Sequence, residues 1–187
     1  WIKYHFPAAF CAALLNSQPM GFYSPHSLAQ DARRHGVKVL TPDLNASADQ
    51  AILESCDESI DGVAVRLGFS SVRGIGADLA FEIAAAGPYK DLEQLSRRTN
   101  ASRKQLEALA TAGAFGCFGF TRREALWAVG AVAQSRSDRL RGIVTGASAP
   151  SLPGMSLREE AVSDLWATGI APDGHPTRFV REVLKRR

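Results

Sequence analysis

The sequence has no uninterrupted run of about 18 apolar residues, so no membrane-spanning helix is expected and no membrane role follows. It has no basic stretch leading into a short apolar segment, so no signal-peptide pattern is seen. Its three cysteines, Cys11, Cys56 and Cys117, are odd in number and far apart, with no C-x-x-C pair. That pattern argues against a disulfide scaffold and a thiolate zinc site, and it fits a reducing cytoplasm. The four histidines are dispersed, with no H-E-x-x-H. The chain opens on Trp1, and "IKYHFPAAFCAALLN" reads as the interior of a longer protein.

What is present is ordinary globular material: 187 residues, 45% hydrophobic and 22% charged, enough for one or two small domains. The net charge of +3 is unevenly spread. Residues 49–61, "DQAILESCDESID", carry five acids and no Lys or Arg, and are expected to form a solvated loop. Residues 66–141 hold twelve Lys/Arg against seven Asp/Glu, a local net of +5. Such a segment can face a polyanion, or it can simply be a solvated surface.

Punctuation along the chain predicts short elements. Pro7 opens a helix over 6–16, and Ser24 and Pro25 open another that Gly36 stops. "VKVL" (37–40) and "GVAVRLGF" (62–69) read as strands able to pair. From residue 70 the pattern turns to helices over 77–87, 91–98, 102–113 and 121–134, the last three opening on Asp91/Gln94, Ser102/Gln105 and Thr121/Glu124. Residues 135–155 are rich in Ser, Gly and Pro and read as a linker. Helices over 156–169, with a Ser156/Glu159 box, and 175–187 close the chain.

"FSSVRGIGADLAFEI" fits the spacing h-x-x-h-x-G-h-G-x-x-x-A-x-x-h of a helix–hairpin–helix. Gly74 and Gly76 are expected to adopt angles closed to other residues, Ile75 to pin the turn and Ala80 to allow close packing. The amides of Gly74, Ile75, Gly76 and Ala77 would then face outward at a helix start, where partial positive charge suits a phosphate oxygen. Arg73 would add an ion pair. Contacts of this kind hold a nucleic-acid backbone without reading its sequence. Two other readings stay open: a turn that only packs two helices, and a dinucleotide fingerprint, which Leu79 in the third glycine position disfavours. Asp78, in the first turn, competes for the same positive end.

A second, degenerate hairpin follows about 35–40 residues on. "QLEALATAGAFGCFGFTRREALW" places Gly113 at a turn and Arg122 and Arg123 at the next helix start. Arg103 and Lys104 stand just upstream. Two hairpins could reach phosphates on both strands of a duplex.

With these residues assembled, the chain resembles bacterial C-family DNA polymerases, the superfamily of the replicative polymerase III alpha subunit. "KYHFPAAFCAALLNSQPMGFYSPHSLAQDARRHGVKVLTPDLNAS" resembles the fingers, "AVRLGFSSVRGIGADLAFEIAAAGPYKDLEQL" the tandem helix–hairpin–helix domain, and "ATGIAPDGHPTRFVREVL" the approach to an OB fold. "LNSQPMGFYSPHSLAQDARRHGV" is most similar to the error-prone, translesion branch. The resemblance implies a mainly α fold with a minor β component: the C-terminal part of the fingers (1–61), a tandem helix–hairpin–helix DNA-binding domain (62–134), a linker (135–155) and a helical segment (156–187). It implies damage-induced mutagenic synthesis in the bacterial cytoplasm, with template–primer duplex bound here. The catalytic aspartates and their Mg2+ would lie in a palm outside this stretch, so the stretch itself carries no catalytic residue and no cofactor. The clamp-binding peptide of replicative members has no clear counterpart: Gln134 lacks the following hydrophobic pair, and "LPGM" (152–155) is a weak substitute. Tethering to the sliding clamp would then fall to a mutasome accessory protein. The competing expectation is a non-enzymatic docking module, with scaffold-only hairpins and the contact surface on 135–155 and 177–187. A repair nuclease is disfavoured by the lack of a metal-ligand cluster.

Overall fold

A computed structural model describes residues 1–134, 150, 152–174 and 176–181. Most of the expected linker and the end of the expected last helix, 182–187, therefore lie outside the described residues. The protein is mainly helical. Helices α1 (Ile2–His5), α2 (Pro7–Asn16) and α3 (Pro25–Arg34) come first. Strands β1 (Val39–Leu40), β2 (Ile52–Ser55) and β3 (Val63–Arg66) follow. Then come α4 (Ala77–Ala86), α5 (Leu92–Arg98), α6 (Arg103–Ala112), α7 (Arg122–Gln134) and α8 (Leu157–Thr168).

The caps form where the sequence places them. Ser24 accepts from the Ser27 amide, and Asp91 from the Gln94 amide at 2.7 Å. Ser102/Gln105 and Ser156/Glu159 form complete capping boxes. Glu124 accepts from both the amide and the hydroxyl of Thr121. Each such cap satisfies amides that the helix cannot, an effect of typically about 1 kcal/mol.

The acidic run is not a loop. Residues 52–55 form strand β2, antiparallel to β3, while β1 pairs with β3 in parallel, giving the order β1-β3-β2. Ile52 stands opposite Arg66 and Leu53 opposite Val65. Arg66 explains why acids are tolerated here. Its Nε and Nη2 bind both carboxylate oxygens of Glu54, and its Nη1 donates to the Thr41 carbonyl at 2.7 Å. The guanidinium holds the Glu54 carboxyl below its ordinary range. Because the sheet combines strands on both sides of residues 61 and 62, the expected domain boundary cuts through one hydrogen-bonded unit. The last strand is also shorter than expected: Phe69–Ser71 is a 3-10 turn. Pro176–Phe179 is a 3-10 turn as well, where an amphipathic helix was expected.

The main core gathers Phe69, Ile83, Leu95, Leu106, Leu109, Phe115 and Val129, all essentially inaccessible. Leu126 and Val132 pack against it from the same face of α7, as their spacing implies. Burying each large side chain contributes roughly 1.5–3 kcal/mol. Two smaller clusters join α2 and α3 to the sheet, and one of them takes in Ile170 from beyond α8.

Two asparagines extend the backbone network. The Asn16 side chain exchanges two hydrogen bonds with Ala51 at 2.8 and 2.9 Å, and Asn45 does the same with Tyr89. Each Asn thereby mimics a strand residue and fastens a loop to a distant segment.

Gly68 marks the closest backbone approach: a Cβ there would sit 2.3–2.5 Å from backbone atoms of Gln50. Gly130, in α7, has nothing within 4 Å. Gly68→Ala should lower unfolding free energy by about 1–3 kcal/mol. Gly130→Ala should raise it by up to about 1 kcal/mol through helix propensity. Denaturant titration of the two variants beside the parent checks both signs.

Candidate nucleic-acid interface

The first hairpin is built from the inside out. Phe69, Val72, Ile75, Ala80 and Ile83 are buried, so the hydrophobic positions of the motif face the core. Gly74 turns the chain at φ +77°, a region that strains any side chain. Ile75 does not offer its amide outward: that N–H donates to the Val72 carbonyl at 3.0 Å, because the side chain must point into the core. The Arg73 amide is likewise taken, by the Ala167 carbonyl of α8 at 2.7 Å. Gly74, Gly76 and Ala77 are exposed, and among the described residues their amides have no acceptor.

Gly76 corrects one expectation. Its φ of −78° is open to any residue, so backbone geometry does not demand glycine. Nor does packing: a Cβ there would meet nothing within 4 Å. What glycine provides is a bare surface over two adjacent amides at the mouth of a ten-residue helix. Among the described helices of seven or more residues, α4 alone starts with neither a capping side chain nor a proline in its first turn. Asp78 is exposed at the same end.

Arg73 is exposed, and its guanidinium lies over the Trp166 ring, 5.1 Å from the centroid. Stacking of that kind orients an arginine while leaving its N–H edge available. Gln105, read from the sequence only as a cap, also donates from Nε2 to the Gly74 carbonyl at 2.9 Å. The start of α6 is thereby tied to the hairpin, and Arg103 and Lys104 come with it. Lys104 is exposed and, among the described residues, unpaired. Arg103 is exposed and shares an i,i+4 ion pair with Glu107 at 2.8 Å. Trp166 and the hairpin role of Gln105 had no local sequence signal, since both partners lie more than 30 residues away.

The second hairpin is closed. Gly113 ends α6 at φ +86°, and its amide donates to Ala110. The Ala114 amide donates back to the Leu109 carbonyl of α6, and those of Gly116, Phe118 and Gly119 are bonded within the turn. The Glu124 carboxylate sits over the start of α7 through Thr121. Arg122 and Arg123 do not extend toward a phosphate. Arg122 donates to Asp164 at 2.6 Å and to the Glu160 carbonyl at 3.1 Å, with only 14% of its side chain accessible. Arg123 donates to Glu159 and to the Pro153 carbonyl, both within 2.9 Å. The two arginines fasten α8 to the hairpin unit, and "LPGM" is drawn into that contact, Ser163 donating to Met155 Sδ at 3.8 Å. Arg122, Arg123 and Gly113 are therefore structural, because α8 brings acids the spacing could not reveal. Arg73, Gly74, Gly76, Ala77, Arg103 and Lys104 form one exposed group.

Burial pushes the Asp164 carboxyl up to about 6 against the pull of Arg122. Burial also raises the Cys11 thiol to about 11, a packed rather than reactive group. Among the described residues no group of three or more His, Cys, Asp or Glu could hold a metal ion, and no helix is long and apolar enough to cross a membrane.

A family model described as a helix-hairpin-helix motif matches residues 36–125. The chain is homologous to a stretch of proteins named error-prone DNA polymerase. That of Mycolicibacterium paratuberculosis is 57% identical over 98% of this chain, which covers 17% of the relative. The Mycobacterium tuberculosis (strain H37Rv) protein is 55% identical with the same coverage. The Nocardia farcinica protein is 52% identical over 97% of this chain and 16% of its own length. The chain thus spans about a sixth of the curated relatives it matches.

Asp164, ordinarily near 3.8 and here near 6, has a raised folded value. Its own contribution to stability is fully present below pH 4 and lost as pH rises through 6. Arg122→Met should therefore cost about 3–5 kcal/mol at pH 8, where an ionised carboxylate is left buried and alone. At pH 5 the loss should shrink, because Asp164 can take a proton. Urea titrations of Arg122→Met at the two pH values measure the difference.

Proposed function

From that homology, we propose that the chain is the part of an error-prone DNA polymerase that holds template–primer duplex by its phosphates during translesion synthesis. Bond formation belongs to a palm elsewhere in the parent protein, where carboxylates would hold Mg2+. The described residues here offer no ligand set for that ion, and no chemical step is assigned to them. The single observation that supports the reading most strongly is Gly76: exposed, with ordinary backbone angles, no neighbour and a free amide. A glycine that neither fold nor packing requires leaves room for a surface to approach from outside.

Binding is expected to be independent of base sequence, since amides at a helix start and Arg73, Arg103 and Lys104 contact only phosphate oxygens. It is expected to weaken steeply with salt as counterions are released. The first hairpin and the start of α6 do this work, and the second hairpin carries the scaffold. The proposal extends to a bacterial cytoplasmic setting and to a mutasome accessory protein that bridges to the sliding clamp. Of the surfaces expected to dock such a partner, 135–155 and 177–187, residues 135–149, 151 and 182–187 lie outside the described residues.

Fluorescence anisotropy of a primer–template duplex tests the reading. Gly76→Glu should weaken binding about tenfold or more and lower the salt slope, by placing a carboxylate over the free amides. Asp78→Asn should tighten binding about two- to fivefold, the range expected from removing one charge at a helix terminus. Unchanged affinity in both variants would contradict the proposal.

A further inference from the structure

A second basic site lies away from both hairpins. His26, Ser27, Gln30, Arg33 and Arg34 of α3 face Gly174, Thr177, Arg178 and Arg181 across an open cleft of about 460 Å³. Four arginines converge there. Arg33 is spent on structure, donating to Gln30 Oε1 at 3.0 Å and to the Asp173 carbonyl at 3.3 Å. His26 is engaged with the Ala171 amide. Arg34, Arg178 and Arg181 are exposed and, among the described residues, have no carboxylate within ion-pair distance. The nearby acids are shared with other cations: Asp31 pairs with Lys3 at 2.8 Å while also feeling the charge of Arg34, and the field of Asp173 reaches Lys38. Arginines gathered on two walls make the cleft basic, and an oxyanion is favoured there.

The cleft and the first hairpin share one support. The Ala167 carbonyl at the end of α8 holds the Arg73 amide, and seven residues further on Gly174 lines the cleft. Seven residues reach at most about 25 Å, the length of about seven base pairs of duplex. The Ala171 carbonyl between them accepts from Gln30 at 3.0 Å, which fixes α3 to this segment. The cleft is also open and polar, with arginines on two walls, a shape that suits a passing phosphate chain.

We propose that Arg34 and Arg178 form a second phosphate-contact site for the backbone of the same nucleic acid that the first hairpin holds. The inference rests on the duplex-binding reading above, and both are measured in one titration. In the full chain, the slope of log affinity against log salt is recorded for a duplex of about 20 base pairs, each phosphate contact contributing about 0.9. The double variant Arg34→Gln/Arg178→Gln should lower the slope by about 2 and weaken binding at least tenfold at low salt. Arg34→Lys/Arg178→Lys keeps the charges and should retain the parent slope, which separates charge from folding. Gly76→Glu is run alongside. If Gly76→Glu weakens duplex binding and the Gln pair does not, the cleft proposal fails while the hairpin reading stands. If neither variant matters, both fail. Inorganic tripolyphosphate is the second probe: its binding lost in the Gln pair, with duplex affinity intact, would make the cleft a site for a free phosphate chain and overturn the proposal.

Discussion

A helix cannot satisfy its own first amides, and the fold turns on where that debt is left open. Four of its helices close it with Ser or Asp caps, or with capping boxes, and α7 closes it with Glu124 over Thr121. At α4 the position is glycine and nothing covers it. The open end exists only because Ile75 is held in the core on one side and Ala80 lets α4 sit flush on the other. An exposed pair of amides is thus fixed in space by buried apolar atoms, which is what binding without conformational search requires.

Helix α8 divides the arginines between structure and surface. Arg122 and Arg123 are consumed in holding it, with Asp164 and Glu159 as their partners. In return α8 receives the Arg73 amide on Ala167 and places Trp166 beneath the Arg73 guanidinium. A basic count along residues 66–141 therefore overstates the charge available to a polyanion. The exposed cations gathered beside the first hairpin are Arg73, Arg103 and Lys104, the last two brought there by the Gln105–Gly74 hydrogen bond. The repeat is asymmetric for the same reason: one hairpin keeps its amides, and the other spends them within its turn.

Local chemistry was readable before any coordinates. Ser24, Asp91, Ser102, Thr121 and Ser156 begin helices because a short oxygen side chain reaches the next amides whatever the rest of the chain does. The hairpin anchors Val72, Ile75 and Ile83 follow from spacing alone; the two expected strands were legible as strands, while their parallel pairing needed the structure. What spacing could not reveal depends on partners far along the chain. Strand β2 has two apolar residues inside an acidic run, and its partner Arg66 lies on another strand. The fate of Arg122 depends on Asp164, 42 residues away. Gly76 was matched to the motif for the wrong physical reason, since its angles are ordinary and its bareness is what counts.

The most direct measurement is amide chemical-shift mapping by NMR while a short duplex is titrated into the 15N-labelled chain. The account predicts that the Gly74, Gly76 and Ala77 amides move strongly while those of Ala114, Gly116 and Gly119, already hydrogen-bonded to backbone carbonyls, stay in place. Large shifts across the second turn with α4's first residues unmoved would contradict it.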